Sequence, residues 1–155
     1  MIRSMRELVA EQPLLLGLPP AMVDLVAGCA HNASFPAEAR LLSEGEAAET
    51  FYLIRRGRVA LEIARPGDDP FLIETIEHGV VGWSWLFPPY RWHFDARAVI
   101  PVEAIALDGG CLRAKAEHDP ALGYELTKRM SAVILDRLQA TRMRLLDVYG
   151  DVRSA

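Results

Sequence analysis

Hydrophobic positions change their spacing twice along the chain. From about residue 4 to residue 30 the pattern is helical, with Met22, Val23, Leu25 and Val26 on a short amphipathic stretch after Pro19-Pro20. The proline pair suits a helix start, because a first turn leaves its N–H groups unpaired anyway. From about residue 35 to residue 108 the period drops to two. Phe51, Leu53, Val59, Leu61 and Ile63 alternate with Ala60, Glu62 and Ala64. Gly57, in Arg55-Arg56-Gly57-Arg58, reads as a tight turn, and Arg65 to Pro70 as a hairpin connection followed by a returning strand from Phe71 to Ile76. A last β segment runs from about Asp95 to Leu107. Short strands at this spacing suggest a β-roll, barrel or sandwich.

After Gly109-Gly110 the helical period returns. Asp119-Pro120 is a start signal, with a capping carboxylate and proline at the first helical position. From there to Tyr149 no further proline occurs, and Gly123 is the only glycine. Ile134, Leu138, Thr141, Leu145 and Val148 recur at spacings of four and three, which is a heptad seam, and Ser131 falls in the same seam.

At 155 residues, 51% hydrophobic and 25% charged, the chain suits one domain with its own core and is not disordered. A formal charge of −4 argues against DNA binding by this chain alone. Cys29 and Cys111 form no disulfide framework and read as two reduced thiols; with no apolar run of membrane-span length and no signal peptide, the expected location is cytoplasmic, with no membrane partner. His31, His78, His93 and His118 show no metal spacing, no His-x-His pair occurs, and neither a Gly-x-Ser-x-Gly elbow nor a phosphate-cradling Gly-Lys loop is present. The expectation is a protein that is not an enzyme, with no catalytic residues and no metal.

Specific residues then sharpen the picture. Phe35-Pro36-Ala37, and the run from Leu42-Ser43-Glu44-Gly45-Glu46 through Phe51-Tyr52-Leu53 to Gly57-Arg58-Val59, resemble the opening of the cyclic nucleotide-binding domain. More closely, the pattern is similar to the sensor half of the cyclic AMP receptor protein (Crp/Fnr) family of bacterial regulators. The likeness continues through Ala98-Val99 and Ala106-Leu107-Asp108 into Arg137-Leu138-Gln139-Ala140-Thr141-Arg142. It implies an α+β fold: an antiparallel β-roll (double-stranded β-helix, jelly-roll-like) flanked by N-terminal helices and a long C-terminal dimerisation helix. The expected single domain spans 1–155, with a helical part over about 4–34, the roll over 35–108, a phosphate-cassette region over 80–95 and the dimer helix over 119–149.

The resemblance also implies a mechanism. A cyclic nucleotide, cyclic AMP in the first instance, would sit in the roll on a short helix whose N–H groups face the phosphate. A glutamate after the leading glycine would take the ribose, an arginine would neutralise the phosphate, and the long helix would close over the base while pairing two protomers. Here Gly82 matches the leading glycine, Trp83 stands at the glutamate position and Trp92 at the arginine position, with Ser84, Arg91 and His93 nearby. On the helix, Thr141 matches the residue facing the base and Arg137 the basic residue near the ribose, while Arg142 replaces a small hydroxyl. These nine residues are the candidate ligand-binding set; Thr141 equally suits a polar position that sets the register of a helix pair.

Three readings of the cassette stand side by side. Trp83, Trp85, Trp92 and Phe94 fill a vestigial pocket; or they line a remodelled pocket for a more apolar or planar ligand, with His93 and Arg91 as polar handles; or a cyclic nucleotide still binds through the backbone of Gly82, Trp83 and Ser84 with Arg91 as the cation. Exposed rings forming a protein-binding patch are a further alternative. The expected function is a stand-alone regulatory sensor that binds a small effector and signals through the C-terminal helix as a homodimer, with a separate protein as a candidate output. The alternative is a ligand-free interaction or scaffold module of the same fold.

Overall fold

Two long antiparallel strands organise the molecule. The computed structural model describes residues 2–154, with side-chain surroundings over 2–150. Strand β3 (Thr50–Arg65) and strand β6 (Asp95–Asp108) pair along most of their lengths, from Thr50↔Asp108 to Glu62↔Asp95. β1 (Ala30–Phe35) and β2 (Arg40–Leu42) pair with β6, whereas β4 (Asp68–Ile76) and β5 (Gly79–Val81) pair with β3. Every pairing is antiparallel. Phe51, Leu53, Ile54, Val59 and Leu61 face Ala96, Ala98, Ile105 and Leu107 in one buried core.

Gly57 is not a turn. β3 runs straight through it, and the ladder with β6 slips register between Arg56 and Arg58. Its φ is +104°, and an added Cβ would lie 2.3 Å from the Pro101 carbonyl oxygen. The glycine therefore serves an irregularity in a continuous strand, where the partner backbone comes too close for a side chain. The hairpin that follows is tighter than expected: Arg65 pairs with Asp68 across Pro66-Gly67, so β4 begins three residues before Phe71.

The N-terminal part is α1 (Met5–Ala10), a 3-10 turn (Pro13–Leu15) and α2 (Pro20–Ala27). It ends earlier than expected. Residues 30–34 belong to β1, whose small and polar side chains (Ala30, His31, Asn32, Ala33, Ser34) alternate too weakly to announce a strand. Helix α3 (Gly109–His118) is capped by Asp108, whose carboxylate accepts from the Cys111 N–H at 2.9 Å. Asp119 then caps α4 (Pro120–Ser154), accepting from Ala121 and Leu122. α4 continues five residues beyond the expected end at 149.

Cys29 and Cys111 are joined by a disulfide, which overturns the reading of two reduced thiols. They lie 82 residues apart, but the pairing of Ala30 with Leu107 brings the start of β1 to the end of β6. The Asp108 N–H donates to the Cys29 carbonyl, leaving the two Cα atoms 5.8 Å apart. No helix among the described residues is long and apolar enough to cross a membrane.

Candidate functional site

The chain after β5 turns sharply at Gly82, with φ +99°, and enters the cassette. The helix that the resemblance implied is absent. Residues 83–87 form turns in which Leu86 N–H donates to the Trp83 carbonyl and Phe87 N–H to that of Ser84. Two tryptophans explain the shape. Trp85 is buried and stacks on Phe51, centroids 4.5 Å apart and planes 1° from parallel. Trp92 is buried over Gly82: a Cβ on that glycine would lie 2.6 Å from the indole ring. The ring at the position that the resemblance assigns to the phosphate arginine is thus seated on a glycine.

Arg113 of α3 holds the loop from outside. It donates to the Trp85 carbonyl, and its guanidinium lies 4.2 Å from the Tyr90 ring centroid. Arg91 also lies outside, exposed, with Nη1 donating to the Gly45 carbonyl at 3.2 Å. Arg91 shares a short antiparallel bridge with Ala47, and the Trp92 N–H donates to the Glu46 carbonyl. This pairing turns the Trp92 side chain inward and its neighbours outward, as alternation along an extended segment requires. With Trp85, Trp92 and Phe94 buried and Trp83 half-buried, these rings do not form an exposed patch.

A cavity of about 360 Å³ remains between the roll and α4. The roll supplies Leu61 from β3, Ile73 and Glu74 from β4, and Trp83, His93 and Phe94 from the cassette and its exit. Helix α4 supplies Ile134, Arg137, Leu138 and Thr141. Trp83 meets Phe94 edge-on at 6.3 Å. Arg137 lies over the Trp83 ring, its guanidinium carbon 5.0 Å from the centroid. It donates through Nη2 to the Val80 carbonyl of β5, and its Nε is 3.9 Å from Glu74. Its Nη1 is buried with no hydrogen-bond partner. Burial pulls the guanidinium below its ordinary pKa, and Glu74 opposes that only in part.

Of the nine candidate residues, the structure places Trp83, His93, Arg137 and Thr141 on this cavity. The Thr141 hydroxyl donates to the Arg137 carbonyl within its own helix, at 2.9 Å. Gly82 and Trp92 pack against each other and do not line the cavity, and Ser84 is buried in the turn. Arg91 and Arg142 are exposed and line none of it. Sequence reasoning missed Glu74. Counting back from the Pro66-Gly67 turn sets Leu72 opposite Leu61, but two register shifts in the β3–β4 ladder bring Glu74 there instead. Among the described residues, no group of three or more His, Cys, Asp or Glu could hold a metal ion.

An antiparallel roll followed by a long C-terminal helix, with a cavity between them, defines the fold class. Residues 33–119 match the family described as the cyclic nucleotide-binding domain, and the chain belongs to that family. It is 24% identical over 150 residues to the CRP-like cAMP-activated global transcriptional regulator of Mycobacterium tuberculosis, covering 96% of this chain and 65% of that one. The chain thus spans just under two thirds of the curated relative it matches. Among solved structures it is similar to one from Geobacter metallireducens described as a cyclic nucleotide-binding protein, with a TM-score of 0.78, 27% identity, and coverage of 89% of this chain and 99% of that one. It is also similar to the Thermus thermophilus catabolite activator protein, with a TM-score of 0.62, 25% identity, and coverage of 92% and 63%.

Proposed function

We propose that this domain is a regulatory sensor in which a small effector occupies the cavity between the roll and α4, and α4 transmits its presence. The carrying observation is Arg137. One side chain of α4 both lines the cavity and donates to the Val80 carbonyl of β5, so a ligand that engages it acts on the contact between helix and roll. Membership of the cyclic nucleotide-binding family and likeness to a CRP-like regulator support the same reading. The role we infer is one of binding, in keeping with the regulatory family to which the chain is similar. Cyclic AMP is the family's first candidate, but the ring of Trp92 at the phosphate arginine's position favours a different effector.

The outer half of α4 supports a second copy of the chain as partner. Leu138, Leu145, Leu146, Val148 and Tyr149 are all exposed, and the heptad seam runs among them.

The test is thermal unfolding of the full chain against cyclic AMP, cyclic GMP and a metabolite library, repeated with Ile73→Trp to fill the cavity. An effector at about a hundredfold over its Kd should raise the midpoint by roughly 5–11 °C. The shift should vanish in the filled variant. A shift that survives Ile73→Trp would place binding elsewhere and overturn the proposal.

A further inference from the structure

The cavity's chemistry narrows the class of ligand. Its walls are apolar and aromatic: Leu61, Ile73, Trp83, Phe94, Ile134 and Leu138. Against these stand two charged side chains, Arg137 and Glu74, with His93 and Thr141 at the margin. The Thr141 hydroxyl proton is already committed to its own helix. A cyclic nucleotide would bring a ribose hydroxyl and several base nitrogens into this space, each needing a partner to be buried without loss. The cavity supplies too few. At about 360 Å³ it also sits at the lower end of small-molecule sites.

The unsatisfied feature is the guanidinium. Nε of Arg137 reaches Glu74 only at 3.9 Å, that carboxylate does not offset the burial of the group, and 14% of the side-chain surface stays open. A carboxylate in the cavity would meet the guanidinium through the part of the side chain that stays open, adding charge that Glu74 at 3.9 Å supplies only in part. A second would meet Glu74, which lines the same space. Resting on the effector reading above, the geometry points to a monocarboxylic acid with an apolar body, its carboxylate paired with Arg137 and its body held against Trp83 and Phe94. The walls accept either an aromatic or an aliphatic body, because the recognition is one anionic end and one apolar end.

The test uses the full chain and four probes, 4-phenylbutyrate and octanoate with their neutral amides, titrated by calorimetry and by quenching of tryptophan fluorescence. Either acid should bind at least about tenfold more tightly than its amide, the margin of a charge-assisted hydrogen bond. Arg137→Gln should bring that ratio close to one, and Arg137→Lys should keep part of it. Because acid and amide are compared within each variant, a change in stability does not imitate the result. Preference for one body type identifies the ligand as aromatic or aliphatic.

Equal binding of acid and amide by the unaltered chain, an acid preference that survives Arg137→Gln, or no binding of either acid at millimolar concentration overturns the inference. If the amides or cyclic AMP then bind and Ile73→Trp abolishes this, the ligand class is wrong and the effector cavity stands. If no bound compound is sensitive to Ile73→Trp, the cavity reading falls as well.

Discussion

Gly82 and Trp92 are complementary at the level of single atoms, because the indole occupies the space a Cβ would need. Gly82→Ala therefore meets two penalties, a left-handed φ and a collision, and should destabilise by about 1–3 kcal/mol. Trp92→Ala should cost about 3–5 kcal/mol, as removal of a buried ring does. The two effects are coupled. In a Trp92→Leu background the cost of Gly82→Ala should fall, and a double-mutant cycle in urea measures the difference; strict additivity would contradict the packing described. On α4, Glu125 accepts hydrogen bonds from Lys128 and Arg129, which hold its carboxyl below its ordinary range. Its contribution is present above the ordinary value of 4.5 and lost as pH falls through the lower, folded value. Glu125→Gln should accordingly lower the melting temperature slightly at pH 7 and leave it unchanged at pH 2 to 3. A loss that persists in acid would point to packing instead. At this scale the sequence made the substitutions visible, since Trp83 and Trp92 stand where charged residues were expected. It did not reveal that one ring would line the cavity and the other pack into the core, because that depends on which way an irregular segment turns.

Among the elements, α4 and the β3–β4 hairpin were legible because each carries a sustained period or a Pro-Gly turn. β1 was not, since its polar and small residues gain their strand conformation from the exposed edge of β6 rather than from their own pattern. α3 was legible only as the return of a helical period after Gly109-Gly110, and Asp119 both ends that helix and caps the next. Gly57 misled for a similar reason: a glycine between arginines looks like a turn until its strand partner is known. The apolar side chains on the outer half of α4 give a direct test of pairing. Leu145→Glu with Val148→Glu should convert a dimer to a monomer of 17.2 kDa, read by light scattering, while the melting of the roll stays close to the parent. Both residues lie outside the cavity, so effector binding per chain should survive unless dimerisation is required for it. A parent protein that is monomeric at high concentration would remove this role from the helix.

For the molecule as a whole, the cross-link between Cys29 and Cys111 is the feature that composition could not disclose, because two cysteines in a chain carry no spacing rule. With the two cysteines 82 positions apart, the chain-entropy account gives about 4.5 kcal/mol of stabilisation. Cys111→Ser should lose a few kcal/mol in guanidinium unfolding, and reductant should destabilise the parent but not the variant. Lys115 of α3 donates to the Leu25 carbonyl of α2 at 2.7 Å, so α3 stays tied to the N-terminal part without the bond. Folding is therefore expected to survive its loss.

The bond also makes the entire roll a covalent ring from which the N-terminal helices and α4 leave as two tails at one point. A ring has no ends to separate. A protease site placed at the exposed Pro66-Gly67 tip, which lies inside it, should nick the chain without releasing a fragment. On a denaturing gel the nicked protein should run as one species until reductant is added, and then as two. The same closure means that new termini opened at that tip would leave every strand still tethered to its neighbours.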